Sequence, residues 1–173
     1  MLWGLEMLEN LLPPLNDKNL PWMDVLHPIV VHFVIAMALI TVVFDLIGVM
    51  TRKPNLFEVS FWNLVVATVA IFVAIIFGQV EAGLAGPYGG ARDILNYHST
   101  LGWSLAGVLS LLTGWRYVVR QKDPAALPPG FLLIDGVLAA LVFTQVYLGD
   151  KLVWVYGLHT VPVVEALRNG VIS

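Results

Sequence analysis

Apolar residues run almost unbroken through four stretches of this chain, at residues 26–50, 59–80, 94–119 and 131–156. At about 1.5 Å of rise per residue, some 20 apolar residues cover the ~30 Å hydrocarbon core of a bilayer. Each stretch is long enough to cross. The breaks between them carry turn chemistry: Pro54 in the first, Pro87 with Gly89-Gly90 in the second, and Pro124, Pro128 and Pro129 in the third. Asp93 follows the second break as a candidate N-cap for helix three. The pattern predicts an all-α fold, an integral membrane four-helix up-down-up-down bundle over residues 24–157.

Short surface helices are expected at both termini. In segment 1–23, Trp3, Met7 and Leu11, with Leu8 and Leu12 alongside, recur at helical spacing before Pro13-Pro14. This segment holds Glu6 and Glu9 and no basic n-region, so it reads as a membrane-surface segment and not a secretory signal. In segment 158–173, Thr160 as N-cap with Pro162 in the first turn predicts a short surface helix ending near Gly170. A faint two-fold repeat runs through the bundle. Asp24-Val25-Leu26 matches Asp93-Ile94-Leu95 before helices one and three, and the pair Gly78 and Gly86 matches Gly149 and Gly157.

Composition supports the membrane reading. The chain is 58% hydrophobic and 12% charged, with mean hydropathy +0.83, whereas soluble domains carry about 25% charged residues. The absence of cysteine excludes disulfides, thiolate metal sites, iron–sulfur ligation and covalent haem attachment. No basic patch interleaved with aromatics points to nucleic acid. The loops at one end hold Arg52, Lys53, Arg116, Arg120 and Lys122 against Glu58 and Asp123. The other end holds Lys18, Arg92, Lys151 and Arg168 against eight carboxylates. Lysine and arginine in short loops are retained in the cytoplasm, which places both termini on the periplasmic or lumenal side. Trp22, Tyr97, Trp103, Trp154 and Tyr156 toward one face, and Trp62, Trp115 and Tyr117 toward the other, form the two expected interfacial belts.

All four histidines, His27, His32, His98 and His159, fall at the periplasmic or lumenal end. His32 and His98 are expected at one depth on helices one and three, an arrangement that bis-histidine haem ligation requires. His27 is five residues from His32, about 140° around the axis, and serves either as an alternative ligand or at a second site; Pro28 reads as a first-turn proline beside it. Imidazole also suits a metal ion or a proton relay, and a single boundary histidine is most often an interfacial hydrogen-bonding group. Asp45 and Asp135, near the opposite ends of helices one and four, are candidates for a proton path or a quinone contact. The plainer alternative pairs them with Arg116 or Lys53. Glu81 is a candidate partner for Lys151 or for a histidine ring.

The run Leu26-His27-Pro28-Ile29-Val30-Val31-His32-Phe33, followed by Phe44-Asp45-Leu46 and later by Gly149-Asp150-Lys151-Leu152, resembles a family of small bacterial membrane proteins. The family is catalogued as domain of unknown function 2231, and the resemblance covers about residues 24–157. It implies b-type haem binding and association with redox domains or respiratory oxidases. By position His27, His32 and Asp45 fall on the opening motif, and His98 matches a third-helix histidine. Val34 stands where the family often has proline, and His159 lies outside the matched pattern.

The resulting expectation is a b-type cytochrome-like electron-transfer subunit of a respiratory or photosynthetic complex, with a haem-copper oxidase among the candidate partners. It would sit in a bacterial plasma membrane or a thylakoid, in contact with lipid. One or two haems b are expected, held by His32 and His98 with His27 and His159 as alternatives, and a quinone is a second candidate cofactor. The rival expectation is a non-catalytic accessory subunit that docks in a larger membrane complex.

Overall fold

The computed structural model describes residues 15–18, 20–85, 87–128 and 130–172; the expected N-terminal helix over residues 1–12 lies outside them. The fold is all-helical. Four long helices, α1 (Trp22–Thr51), α2 (Asn55–Ala85), α3 (Gly89–Lys122) and α4 (Phe131–Asp150), are followed by a π-helical turn at Lys151–Val155 and a short helix, α5 (Val161–Arg168). Helix α1 packs on α2 and α4, and α3 packs on the same two helices.

Three of these helices are long and apolar enough to cross a membrane, over Asp24–Thr51, Asn55–Gly83 and Phe131–Trp154. The sequence pattern assigns four such spans. Helix α3 has the length, at 34 residues, but its apolar run is diluted by His98, Ser99, Thr100, Ser104, Ser110, Thr113 and Arg116. Several of those groups find partners inside the protein: Ser104 and Ser110 hydroxyls donate to the Thr100 and Ala106 carbonyls at 2.8 and 2.7 Å. Thr113 Oγ1 meets Thr68 Oγ1 of α2 at 2.7 Å. A helix can stay in an apolar setting when its polar atoms are satisfied locally or by a neighbour.

The core is built from interdigitating small and branched residues. Ala38, Leu64, Ala67, Leu105, Ala106, Leu109, Leu138 and Val142 are almost completely buried. The alanines let the helix backbones approach, as small residues do between membrane helices. Leu111, Leu133, Phe143, Val69 and Ile76 point outward and are more than half exposed, as a lipid-facing surface requires.

Helix boundaries differ from the sequence pattern at two points. Helix α1 starts at Trp22, with Pro21 as N-cap and the Asp24 amide donating to the Pro21 carbonyl at 3.1 Å. Pro28 therefore sits inside the helix and not in its first turn, where its missing N–H leaves the Asp24 carbonyl without a helical donor. Helix α3 starts at Gly89, so Asp93 is an internal residue and Tyr88 is the cap. Thr160 is the N-cap residue of α5 with proline in its first turn, in line with the sequence pattern.

The chain after α4 is tied back firmly. Tyr88 Oη donates to the Tyr156 carbonyl at 2.5 Å, the Leu158 amide donates to the Leu152 carbonyl at 2.9 Å, and the Leu158 side chain is buried. Tyr88→Phe removes one of these ties and leaves a partly buried carbonyl unpaired. Its expected cost is about 1 kcal/mol, read as a lower unfolding midpoint in detergent with an unchanged helical circular dichroism spectrum.

Candidate functional site

Two polar centres lie inside the helices, one at each end. At the end formed by the α1–α2 connection, Arg116 of α3 reaches across to Asp45 of α1. Its Nη2 donates to Asp45 Oδ1 at 2.7 Å, to the Phe57 carbonyl at 2.8 Å and to Ser60 Oγ at 2.6 Å, while Nη1 bonds Asp45 Oδ2. Ser60 Oγ in turn bonds Asp45, and the Arg116 guanidinium lies 5.0 Å from the Phe131 ring centroid. Asp45 and Ser60 are fully buried and Arg116 nearly so. Arg116 is thus an internal charge and not a loop cation. Asp135 of α4 is also buried, and neither of its carboxyl oxygens has a hydrogen-bond partner among the described residues.

At the opposite end a cavity of ≈ 270 Å³ opens between the helices, lined by all four histidines together with Glu81, Gln145 and a wall of apolar residues that includes Val34, Ile71, Leu105, Leu109 and Val142. His32 is the eleventh residue of α1 and His98 the tenth of α3. His32 lines the cavity from an exposed position, whereas His27, His98 and His159 are partly buried.

The ring nitrogens are assigned by their partners. His27 Nδ1 lies 2.9 Å from the Ala74 carbonyl, and His32 Nδ1 lies 2.6 Å from the Pro28 carbonyl. A carbonyl only accepts, so both rings carry their proton on Nδ1 and present a bare Nε2. That is the tautomer in which a histidine acts as a ligand, with the far nitrogen anchored on a backbone carbonyl. His98 differs. The Gln145 amide nitrogen lies 3.0 Å from His98 Nε2 and 3.1 Å from the His98 carbonyl. This leaves His98 Nδ1 buried with no partner, along with Gln145 Oε1.

The repeat seen in the sequence has a spatial counterpart here. The His27 ring lies over Gly78, where an added Cβ would stand 2.7 Å from His27 Cε1. The His98 ring lies over Gly149, where the same distance would be 3.3 Å. Each ring also bonds the residue four positions before its glycine, Ala74 or Gln145. A glycine one turn after the hydrogen-bond partner is what lets an imidazole approach a neighbouring helix this closely.

Glu81 sits at the rim. Its Oε2 is 3.8 Å from His27 Nε2 and its Oε1 is 3.6 Å from His159 Nε2. His159 Nδ1 is 3.7 Å from Asp24 Oδ1. Glu81 therefore neighbours two histidines, and Lys151 is not among its ion-pair partners in the described residues. His159 lies beyond the spanning helices. Burial pushes its pKa down to about 4, so its ring is neutral at pH 7.

Sequence reasoning brought the four histidines and Glu81 to one end, and the structure lines one cavity with them. It missed Asp24, taken only as a helix-start residue, and it missed Gln145. The signal for Gln145 was present: it is the one amide in the apolar run from Phe131 to Leu148, and an isolated polar residue in a membrane helix is there for a partner.

A long apolar helical fold with a histidine-lined cavity at one end defines an integral membrane protein. The sequence model of one family, described as predicted membrane protein (DUF2231), matches residues 23–162, and the chain belongs to that family. No curated protein and no solved structure matches the chain.

Proposed function

We propose that this protein is a b-type cytochrome-like electron-transfer subunit of a respiratory or photosynthetic membrane complex. The observation that carries this reading is the set of imidazoles lining one apolar cavity, two of them already held in the ligand tautomer by backbone carbonyls. The donor set fits haem in its imidazole nitrogens and in an apolar wall that excludes water. His32 and His98 are the pair that would hold it, with His27 and His159 as alternatives. A bound haem would supply a one-electron couple. The protein's own residues act around it: Pro28 and Ala74 carbonyls orient the rings, Gln145 positions His98, and the aliphatic wall keeps the site dry.

The same reading has the chain crossing the membrane four times as an up-down bundle, with α3 as the most polar crossing. The α1–α2 connection holds Arg52 and Lys53 and the last turn of α3 holds Arg120 and Lys122, whereas at the other end the α2–α3 connection holds no lysine or arginine and the start of α3 holds Arg92. This charge placement supports a cytoplasmic location for the first two and a periplasmic or lumenal location for the histidines and both termini. The membrane is a bacterial plasma membrane or a thylakoid, and lipid covers the exposed apolar faces.

The test is a reduced-minus-oxidised absorption spectrum of full-length protein extracted from haem-replete membranes. The expected result is a b-type band that disappears in His98→Ala and in His32→Ala and persists in Glu58→Gln. A colourless preparation without bound iron overturns the cytochrome reading and leaves the accessory-subunit alternative. That alternative draws on the broad apolar surface alone and predicts that the complex assembles normally with both histidines replaced.

A further inference from the structure

The rim of the cavity holds a second constellation that does not include the favoured haem pair His32 and His98. Asp24 on the first turn of α1, Glu81 near the end of α2 and His159 in the turn before α5 each bring one ligand atom to within 4.8 Å of the others. The separations of 3.6 and 3.7 Å are too long for hydrogen bonds. One imidazole gives one nitrogen to an ion, and donors about 2.0 Å from a tetrahedral ion lie about 3.3 Å apart, so a set already within 4.8 Å closes by side-chain shifts of up to about 1.5 Å.

The electrostatics ask for a cation. The Asp24 side chain is 6% exposed and that of Glu81 10%, and Asp24 Oδ1 is buried with no hydrogen-bond partner. Among the described residues no lysine or arginine lies within 4.0 Å of either carboxylate. Two carboxyl groups removed from water ionise unfavourably unless a cation joins them. His159 offers a ring nitrogen as a donor beside them. The backbone places this ring at a cost, since His159 adopts φ 66, in the left-handed region. The buried Leu158 and the Thr160 Oγ1 bond to the Gly157 carbonyl at 2.6 Å hold it there. Strain of this kind persists where the surroundings over-determine it and is concentrated at functional sites.

We propose that Asp24, Glu81 and His159, with His27 Nε2 as the nearest further donor, bind one divalent first-row transition-metal ion such as Zn²⁺. Two carboxylates with one or two imidazoles are borderline donors. The imidazole disfavours Ca²⁺ and Mg²⁺, and the lack of sulfur disfavours Cu⁺. The proposal goes beyond the haem reading because it uses a different donor set at the cavity rim.

Full-length protein in detergent, stripped with chelator, is titrated with Zn²⁺ by calorimetry and assayed for bound metal. One saturable ion per chain is expected. Glu81→Gln and Asp24→Asn should each weaken binding at least tenfold while retaining the helical circular dichroism signal. His98→Ala should leave Zn²⁺ binding unchanged and His159→Ala should abolish it; Zn²⁺ binding is read without haem, which separates failure of this site from failure of the cytochrome reading. Co²⁺ added to the wild-type protein gives a readout independent of any variant: visible bands of a four- or five-coordinate site support the proposal. A spectrum of aqueous Co²⁺ beside native protein overturns it, as does Zn²⁺ binding undiminished in folded Glu81→Gln.

Discussion

Arg116→Met is expected to destabilise the folded protein by about 3–5 kcal/mol, because it leaves the Asp45 carboxylate buried without its counter-charge. In the native protein the guanidinium satisfies both Asp45 oxygens, the Phe57 carbonyl and Ser60 Oγ at once, linking α3 to α1 and α2. Methionine fills comparable space and offers no donor. The double variant Asp45→Leu/Arg116→Met should recover most of the loss, since replacing a whole buried ion pair by apolar side chains is often neutral. Equilibrium unfolding in mixed detergent micelles measures both. A single variant within about 1 kcal/mol of wild type would mean that the pair is hydrated and not sealed between the helices.

Gly78→Val carries the second large effect. A Cβ at this position would stand 2.7 Å from His27 Cε1 and 3.1 Å from its Nδ1, so the ring must leave the Ala74 carbonyl that anchors it. Overpacking together with the lost hydrogen bond is expected to cost about 1–3 kcal/mol. The His27 ring signal in a magnetic resonance spectrum should shift with it. Gly149→Ala meets His98 at 3.3 Å, a tighter contact than usual but one that a small ring movement relieves, so a smaller loss is expected. Gly83→Ala is the control: nothing lies within 4 Å of its added Cβ. In a helix, alanine is favoured over glycine by about 1 kcal/mol, so this variant should be neutral or slightly stabilised. Equal losses at all three positions would show that backbone freedom, and not the histidine cradle, sets the requirement for glycine.

Much of the fold was legible along the chain. Apolar runs bounded by Pro54, Pro87 and Pro124 delimit the long helices, and Thr160 with Pro162 marks the start of α5. The legible part of the site was its membership at one end, since depth follows from counting residues along a helix of known rise. Facing was not legible. Helices α1, α2 and α4 are apolar on nearly every side, so no polar stripe distinguishes the buried face from the lipid face. His32 is a case in point: matched in depth to His98, it nevertheless lines the cavity from an exposed position and bonds its own helix at the Pro28 carbonyl.

The sequence by itself determined that the chain is a helical membrane protein, where its helices break, and that every imidazole is concentrated at one end, because hydrophobicity and turn chemistry are properties of individual residues and short runs. Only the tertiary structure decided that Arg116 is an internal partner of Asp45 and that Gly78 and Gly149 cradle histidine rings. It alone brought Asp24, Glu81 and His159 together. Those facts depend on how each helix is rotated and shifted against its neighbours, which packing across the whole assembly sets and no local pattern encodes.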